Sequence, residues 1–240
     1  MKLSLLNLIV FVLATVQAGT FVAEKSQNKT LVLIDTWSTV ETHSMFFDHI
    51  RTMGGQNHTL EFKLISGAGE EVKIQKFNKY FYDNIILMAP TVSKFGSDLS
   101  LKDILEFVDF HHNLMLFLNH ESRKISRDLA NEFGINFEEY GYVLNGGQGP
   151  AKTAQDAFKS KNVAWTQNMF GPLDRVFTAP KRPILIEDGM GAVLDTKDNN
   201  QHVFPILRGD QGMYSKNPTE AAGKQIAANA GSQITVVAGY

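Results

Sequence analysis

Thr30-Leu-Val-Leu-Ile-Asp35 is the stretch from which the fold is read. Its apolar residues run without a break up to a closing acid and leave no polar face for solvent. That suits a strand buried on both sides of a parallel sheet. Just beyond it, Ser38 precedes Glu41 by three residues, the spacing of a capping box. The helix this predicts carries Val40, Phe46, Phe47, Ile50 and Met53 on one side and stops at Gly54-Gly55. Leu60, Phe62 and Leu64 alternate with Glu61, Lys63 and Ile65, a second strand nearer the sheet edge. Asn84-Ile-Ile-Leu-Met-Ala89 is a third buried strand, ended by Pro90. Ser100 caps a helix that turns Ile104, Leu105, Phe107 and Val108 inward. Leu114-Met-Leu-Phe-Leu118 reads as a fourth buried strand, and Ser122 to Phe133 as an amphipathic helix closed by Gly134. Residues 30–135 thus repeat strand, helix, strand. The expectation is an α/β fold with a doubly wound, mostly parallel sheet and right-handed crossovers.

After Tyr140 the texture changes. Glycine, proline and asparagine become frequent, and the apolar runs shorten to Pro183-Ile-Leu-Ile186, Val203 to Leu207 and Ile234 to Ala238. This part is read as strands and long loops that complete or flank the same sheet. Gly239-Tyr240 directly follows an apolar run, whereas domain ends usually lie in polar linkers. The chain therefore reads as the N-terminal part of something longer.

The N-terminus reads as an address. Met1-Lys2 is a short basic start, Leu3 to Val16 is nearly all apolar, and Val16-Gln17-Ala18 offers small residues for cleavage. The apolar run is too short for a membrane span, which needs about 20 residues. Residues 1–18 are expected to be a secretory signal peptide, 19–29 a short linker, and 30–240 one α/β domain. Entry into the secretory route gives weight to two sequons, Asn28-Lys29-Thr30 and Asn57-His58-Thr59. Asn57, in a polar turn, is the better placed of the two glycosylation candidates, and Asn28 lies close to the first strand.

Composition narrows the chemistry. The 240 residues are 43% hydrophobic and 20% charged, which excludes disordered, collagen-like and coiled-coil chains. A net charge of −2 gives no field to draw nucleic acid. Cysteine is absent, which removes disulfides, thiolate metal ligands and thiol nucleophiles. No G-x-S-x-G elbow exists, and Ser44 next to His43 would not face it on a helix. Gly146-Gly-Gln-Gly-Pro-Ala-Lys-Thr153 has the spacing of a phosphate loop, but Ala151 stands where glycine is needed and Pro150 removes an amide. Asp109, His111, His112 and His120 cluster without metal-ligand spacing. Glu187, Asp188, Asp195 and Asp198 read as a solvated acidic face. No catalytic residue, metal or cofactor is expected. Asp35, Glu41, Thr42 and His43 stand apart, because ligand sites in parallel sheets lie at the carboxyl ends of strands. They are candidates for a ligand or partner site, against the favoured reading that Ser38 and Glu41 cap the helix while Asp35 hydrogen-bonds nearby backbone amides.

Several blocks carry a family resemblance. Thr30-Leu-Val-Leu-Ile-Asp35 with Glu41-Thr-His-Ser-Met-Phe-Phe47, then Phe81-Tyr-Asp-Asn-Ile-Ile86, Ala89-Pro-Thr-Val92 and Phe95-Gly96, resemble in order the luminal domain of oligosaccharyltransferase 48 kDa subunits. Glu132 to Phe137, Pro183 to Ile186, Gly189-Met-Gly191 and Ile234 to Gly239 are also similar. The resemblance implies a flavodoxin-like, amidotransferase-related luminal fold. It also implies a non-catalytic subunit of a complex that transfers a preassembled oligosaccharide from dolichyl diphosphate to sequon asparagines. The implied partners are the multi-spanning catalytic subunit, small membrane subunits and the lipid-linked oligosaccharide. The implied location is the luminal face of the endoplasmic reticulum, with a membrane helix C-terminal to this chain. A free glycan-binding module of the same fold is the alternative, and an independent hydrolase or transferase a third reading.

Overall fold

The computed structural model describes residues 28–55, 58–65, 71–147, 163–166, 168–169, 184–195, 202–219 and 231–240. The expected signal peptide, Asn57, Asp198 and the phosphate-loop-like residues after Gly147 lie outside the described residues. The first half runs β1 (Asn28–Ile34), α1 (Ser38–Thr42), α2 (Ser44–Gly54), β2 (His58–Leu64), β3 (Gln75–Lys76), β4 (Lys79–Tyr80), β5 (Asn84–Met88), α3 (Leu101–Asp109), β6 (Asn113–Leu116), α4 (Lys124–Glu132) and β7 (Ile135–Phe137). The second half adds β8 (Val143–Gly147), β9 (Val163–Thr166), β10 (Asn168–Met169), β11 (Ile184–Glu187), β12 (Ala192–Leu194), β13 (Phe204–Arg208), β14 (Tyr214–Lys216) and β15 (Thr235–Gly239).

A parallel sheet of order β2-β1-β5-β6 organises the first half. Asn28 pairs with His58 and Ile34 with Leu64 on one side of β1, and Thr30 with Asn84 and Ile34 with Met88 on the other. Leu31 to Ile34 are fully buried, as the unbroken apolar run requires. Alternate residues feed opposite faces. Leu31, Leu33, Ile85 and Leu87 pack with Ile104, Phe107 and Leu129. Val32, Ile34, Ile86 and Met88 pack with Phe47 on the other face. Ser100 caps α3 as expected: its Oγ accepts from Asp103 N–H at 3.2 Å, and Asp103 Oδ2 accepts from Ser100 N–H at 2.7 Å.

Five local expectations are corrected. Ser38 and Glu41 make no capping box; Trp37 holds the cap position without a side-chain bond. The helix is also not continuous. Thr42 Oγ1 donates to Ser38 O at 2.9 Å, a back-bond that bends helices, and the chain breaks at His43. Met53 shares the phase of Phe46 and Ile50, yet it is exposed along an open groove at the Asn28–His58 end of the sheet. The run from Leu114 is an edge strand, with Met115 half exposed, because β6 has one neighbour among the described residues. The last helix starts at Lys124, and Ser122 instead accepts from Asn119 N–H at 2.9 Å.

Of the two expectations for the second half, completing the parallel sheet is not met; the described strands lie outside that sheet. They form separate sheets of order β10-β13-β15-β12-β7 and β11-β9-β8-β14, antiparallel except for β8 beside β9. The fold is therefore mixed α/β, one parallel sheet with several antiparallel ones. A small core of Leu144, Ala164, Met213 and Ile234 supports this half.

Tyr82 sits in the first core, and burial followed by its hydrogen bond to Glu61 pushes its hydroxyl above the ordinary tyrosine range. Above about pH 10 the unfolded chain ionises this group while the folded chain keeps its proton. The unfolded state then binds fewer protons, so stability falls as pH rises, by up to about 1.4 kcal/mol per pH unit from this group. Tyr82→Phe is expected to flatten that alkaline limb in urea titrations between pH 9 and about 11. An unchanged limb would assign it to other groups.

Candidate functional site

β1 and β5 lie side by side, and the chain leaves their carboxyl ends toward opposite edges of the sheet, to β2 and to β6, so strand order reverses between them. This is where ligands bind in open α/β sheets. Asp35 leaves β1 here and Pro90-Thr91 follow β5. Asp35 Oδ2 accepts from Thr91 Oγ1 at 2.7 Å and from Thr91 N–H at 3.3 Å, closing the two strand ends against each other. A groove of about 370 Å³ opens above this contact. Asp35, Thr39 and His43 line one side, Thr91 and Asn119 the other, and Phe117 contributes apolar surface.

Of the four residues singled out in the sequence, Asp35 and His43 meet in this groove. Glu41 is exposed on α1 and does not line it, and Thr42 is turned into its own helix. His43 Nδ1 lies 3.1 Å from Thr39 O and 2.9 Å from Thr42 Oγ1. A carbonyl only accepts, so that contact places the imidazole proton on Nδ1. Capping does not account for Glu41; Asp35 bonds a nearby backbone amide, that of Thr91, as the local reading expects, and Thr42 and His43 lie at the helix break.

Thr91 and Asn119 escaped the sequence reading. Thr91 lies 56 positions from Asp35 and meets it only because β5 pairs beside β1. Asn119 Oδ1 accepts from Glu121 N–H at 3.0 Å, and its backbone bridges to Gly189 of the second half. A second, polar cleft of about 430 Å³ lies between α4 and β7, with Lys124, Arg127, Asn131, Asn136 and Tyr140 on its walls. Arg127 donates to Glu138 O at 3.0 Å, and the Arg123 guanidinium lies 5.1 Å above the Tyr140 ring. No periodic pattern in the sequence points to this cleft.

The remaining candidates do not converge. His112 stacks on Phe107 with ring centroids 4.5 Å apart, His111 takes a positive φ of 66°, and His120 Nδ1 bonds Asp188 O at 3.1 Å. Among the described residues, no three acidic or imidazole groups are placed to hold a metal ion. Glu187 is paired into β11. Asn28 opens β1, where its Oδ1 accepts from Asn84 Nδ2 at 2.8 Å.

Residues 22–240 match the family model described as OST48, N-terminal domain. The chain belongs to the OST48 family. Curated proteins named dolichyl-diphosphooligosaccharide–protein glycosyltransferase 48 kDa subunit are similar to it. The one from Arabidopsis thaliana is 31% identical over 217 residues, covering 88% of this chain and 46% of that protein. The one from Drosophila melanogaster is 30% identical over 194 residues, 79% of this chain and 41% of that protein. A Danio rerio protein of the same name is 28% identical over 199 residues, 79% and 41%. The chain thus spans less than half the length of the OST48 relatives it matches. Among the described residues, no helix is long and apolar enough to cross a membrane.

Proposed function

We propose that this chain is the luminal, non-catalytic part of an oligosaccharyltransferase subunit. In this reading it supports transfer of a preassembled oligosaccharide from dolichyl diphosphate to sequon asparagines. The observation that carries the reading is the match to the OST48 model over residues 22–240, reinforced by the name of the relatives. Residues 1–18 then serve as the signal peptide and 30–240 as the luminal domain, with the parallel sheet as a flavodoxin-like core. Chemistry agrees with a scaffold. The chain holds no cysteine, Asp35 is spent on Thr91, and the Nδ1 proton of His43 is tied to the first turn of its helix. Catalysis falls to a multi-spanning partner subunit, and the smaller membrane subunits complete the contacts.

Capture of the endogenous full-length protein from gentle detergent extracts tests this. Mass spectrometry is expected to recover the multi-spanning transferase subunit, and depletion of the protein to lower sequon occupancy on secreted glycoproteins. Recovery without any transferase subunit would overturn the scaffold reading. The polar cleft, with its asparagine amides and the Tyr140 ring, favours a second reading, a glycan-binding module, which predicts affinity for free oligosaccharide without the complex. Asp35→Ala separates structure from activity at the groove. It removes the acceptor of two hydrogen bonds and is expected to cost about 1–2 kcal/mol in denaturant unfolding. Partner recovery is expected to be unchanged; its loss would make Asp35 part of a contact surface.

A further inference from the structure

The first sequon lies inside the sheet. Asn28, Lys29 and Thr30 are the first three residues of β1, and their burial changes abruptly: Asn28 and Lys29 are exposed, Thr30 is buried. The Thr30 hydroxyl lies 2.8 Å from His58 Nε2 of β2 and accepts from Asn84 Nδ2 of β5 at 3.0 Å. Asn84 Nδ2 also donates to Asn28 Oδ1 at 2.8 Å, and Asn113 Nδ2 of β6 donates to Asn84 Oδ1 at 2.9 Å. A ladder of side chains thus crosses this end of all four strands. It uses Oδ1 of Asn28 and leaves Nδ2 without a partner among the described residues.

We infer that Asn28 carries an N-linked glycan, attached before β1 is enclosed between β2 and β5. The inference rests on the luminal placement proposed above. The acceptor triplet is defined by its third-position hydroxyl, and in the folded chain that hydroxyl is buried and shared between β2 and β5. The folded protein therefore cannot present the triplet. During synthesis it can, because the groups that enclose Thr30 lie 28 and 54 residues later in the chain. The transfer joins Asn28 Nδ2 to the anomeric carbon of the first sugar of a lipid diphosphate-linked oligosaccharide. The bond from that carbon to the phosphate oxygen breaks, one amide proton passes to a base of the transferase, and the lipid diphosphate leaves. Oδ1 is untouched, so the glycan and the ladder are compatible. Asn28 also lines the groove of about 380 Å³ that includes Ile50, Met53 and Met115, so the first sugars rise from the rim of an apolar lining.

Translation of the full-length chain with endoplasmic reticulum microsomes tests this, with Asn57→Gln present so that Asn28 is the remaining sequon among residues 1–240. One glycan-sized shift more than in Asn28→Gln is expected, removed by endoglycosidase and kept in Thr30→Ser. Protease protection reports placement separately. A protected chain without the shift overturns the glycan and leaves the luminal reading standing; an unprotected chain overturns both. For the order of events, unglycosylated full-length protein, folded as judged by circular dichroism, is given permeabilised microsomes and lipid-linked donor. It is expected to remain unmodified at Asn28 while a peptide carrying Asn28-Lys29-Thr30 is modified. Equal modification of the two would overturn the order.

Discussion

Replacing Phe47 with alanine is expected to lower the unfolding free energy by about 3–5 kcal/mol. Phe47 is fully buried and is the side chain through which α2 closes one face of the parallel sheet. Its ring meets Phe62 edge-on at 5.0 Å and Phe46 at 5.3 Å, so truncation loses aromatic contacts as well as apolar area. The cavity opens between a helix and the two central strands, where Val32, Ile34, Ile86 and Met88 are held by their own pairing and collapse poorly. Denaturant unfolding checks the size, with the midpoint falling and the slope unchanged. Phe47→Leu is expected to recover about half of the loss. A loss under about 1 kcal/mol for alanine would mean that α2 contributes little to this face.

Gly146→Ala is expected to cost about 2–4 kcal/mol, far more than a glycine in a surface loop would suggest. Gly146 holds φ +83°, in the left-handed region, and a Cβ there would run into the Gly212 carbonyl oxygen. The obstacle is backbone, so no rotamer change relieves it. Gly146 also pairs with Ala164 where β8 runs parallel to β9, so the strain falls on the central joint of the sheet β11-β9-β8-β14. Thermal unfolding of the full-length protein checks the prediction; a shift within about 2 °C of the parent would overturn it. In sequence this glycine suggested a degraded phosphate loop. In the fold it is a point of close approach between two chain segments, which is why glycine stands there.

The parallel layer was legible because a strand buried on both faces has an unmistakable composition. Leu31 to Ile34 and Ile85 to Ala89 could hardly be anything else. The same rule misled at β6, since Leu-Met-Leu-Phe-Leu reads alike whether a strand has one neighbour or two. What decided its exposure was its place at the end of the order, a tertiary fact. The second half was illegible for a different reason. Its strands are two to five residues long and pair over large separations: Ala192 sits between Phe137 and Thr235. Short strands carry too little periodicity to announce a partner. At the candidate site the strand-end rule located Asp35, but the helix there was misread. Ser38 and Glu41 have capping-box spacing, yet Thr42 bonds back to Ser38 O and the chain turns at His43. Thr91 and Asn119 carried no local signal, because their role comes from the pairing of β5 and from the bridge to Gly189.

The unequal cores on which the two halves rest have a consequence for how the protein opens. The parallel sheet is sandwiched by extensive apolar layers on both faces, while the antiparallel sheets lean, among the described residues, on a cluster of Leu144, Ala164, Met213 and Ile234. Such a molecule is expected to unfold in steps rather than all at once. Amide protons of β1 and β5 are expected to exchange with deuterium only when the whole structure is lost. Those of β8, β13 and β15 are expected to exchange through a cheaper, partial opening that leaves the parallel sheet standing. Heat unfolding is then expected to show a calorimetric enthalpy larger than the van't Hoff value, the mark of two cooperative units within one chain.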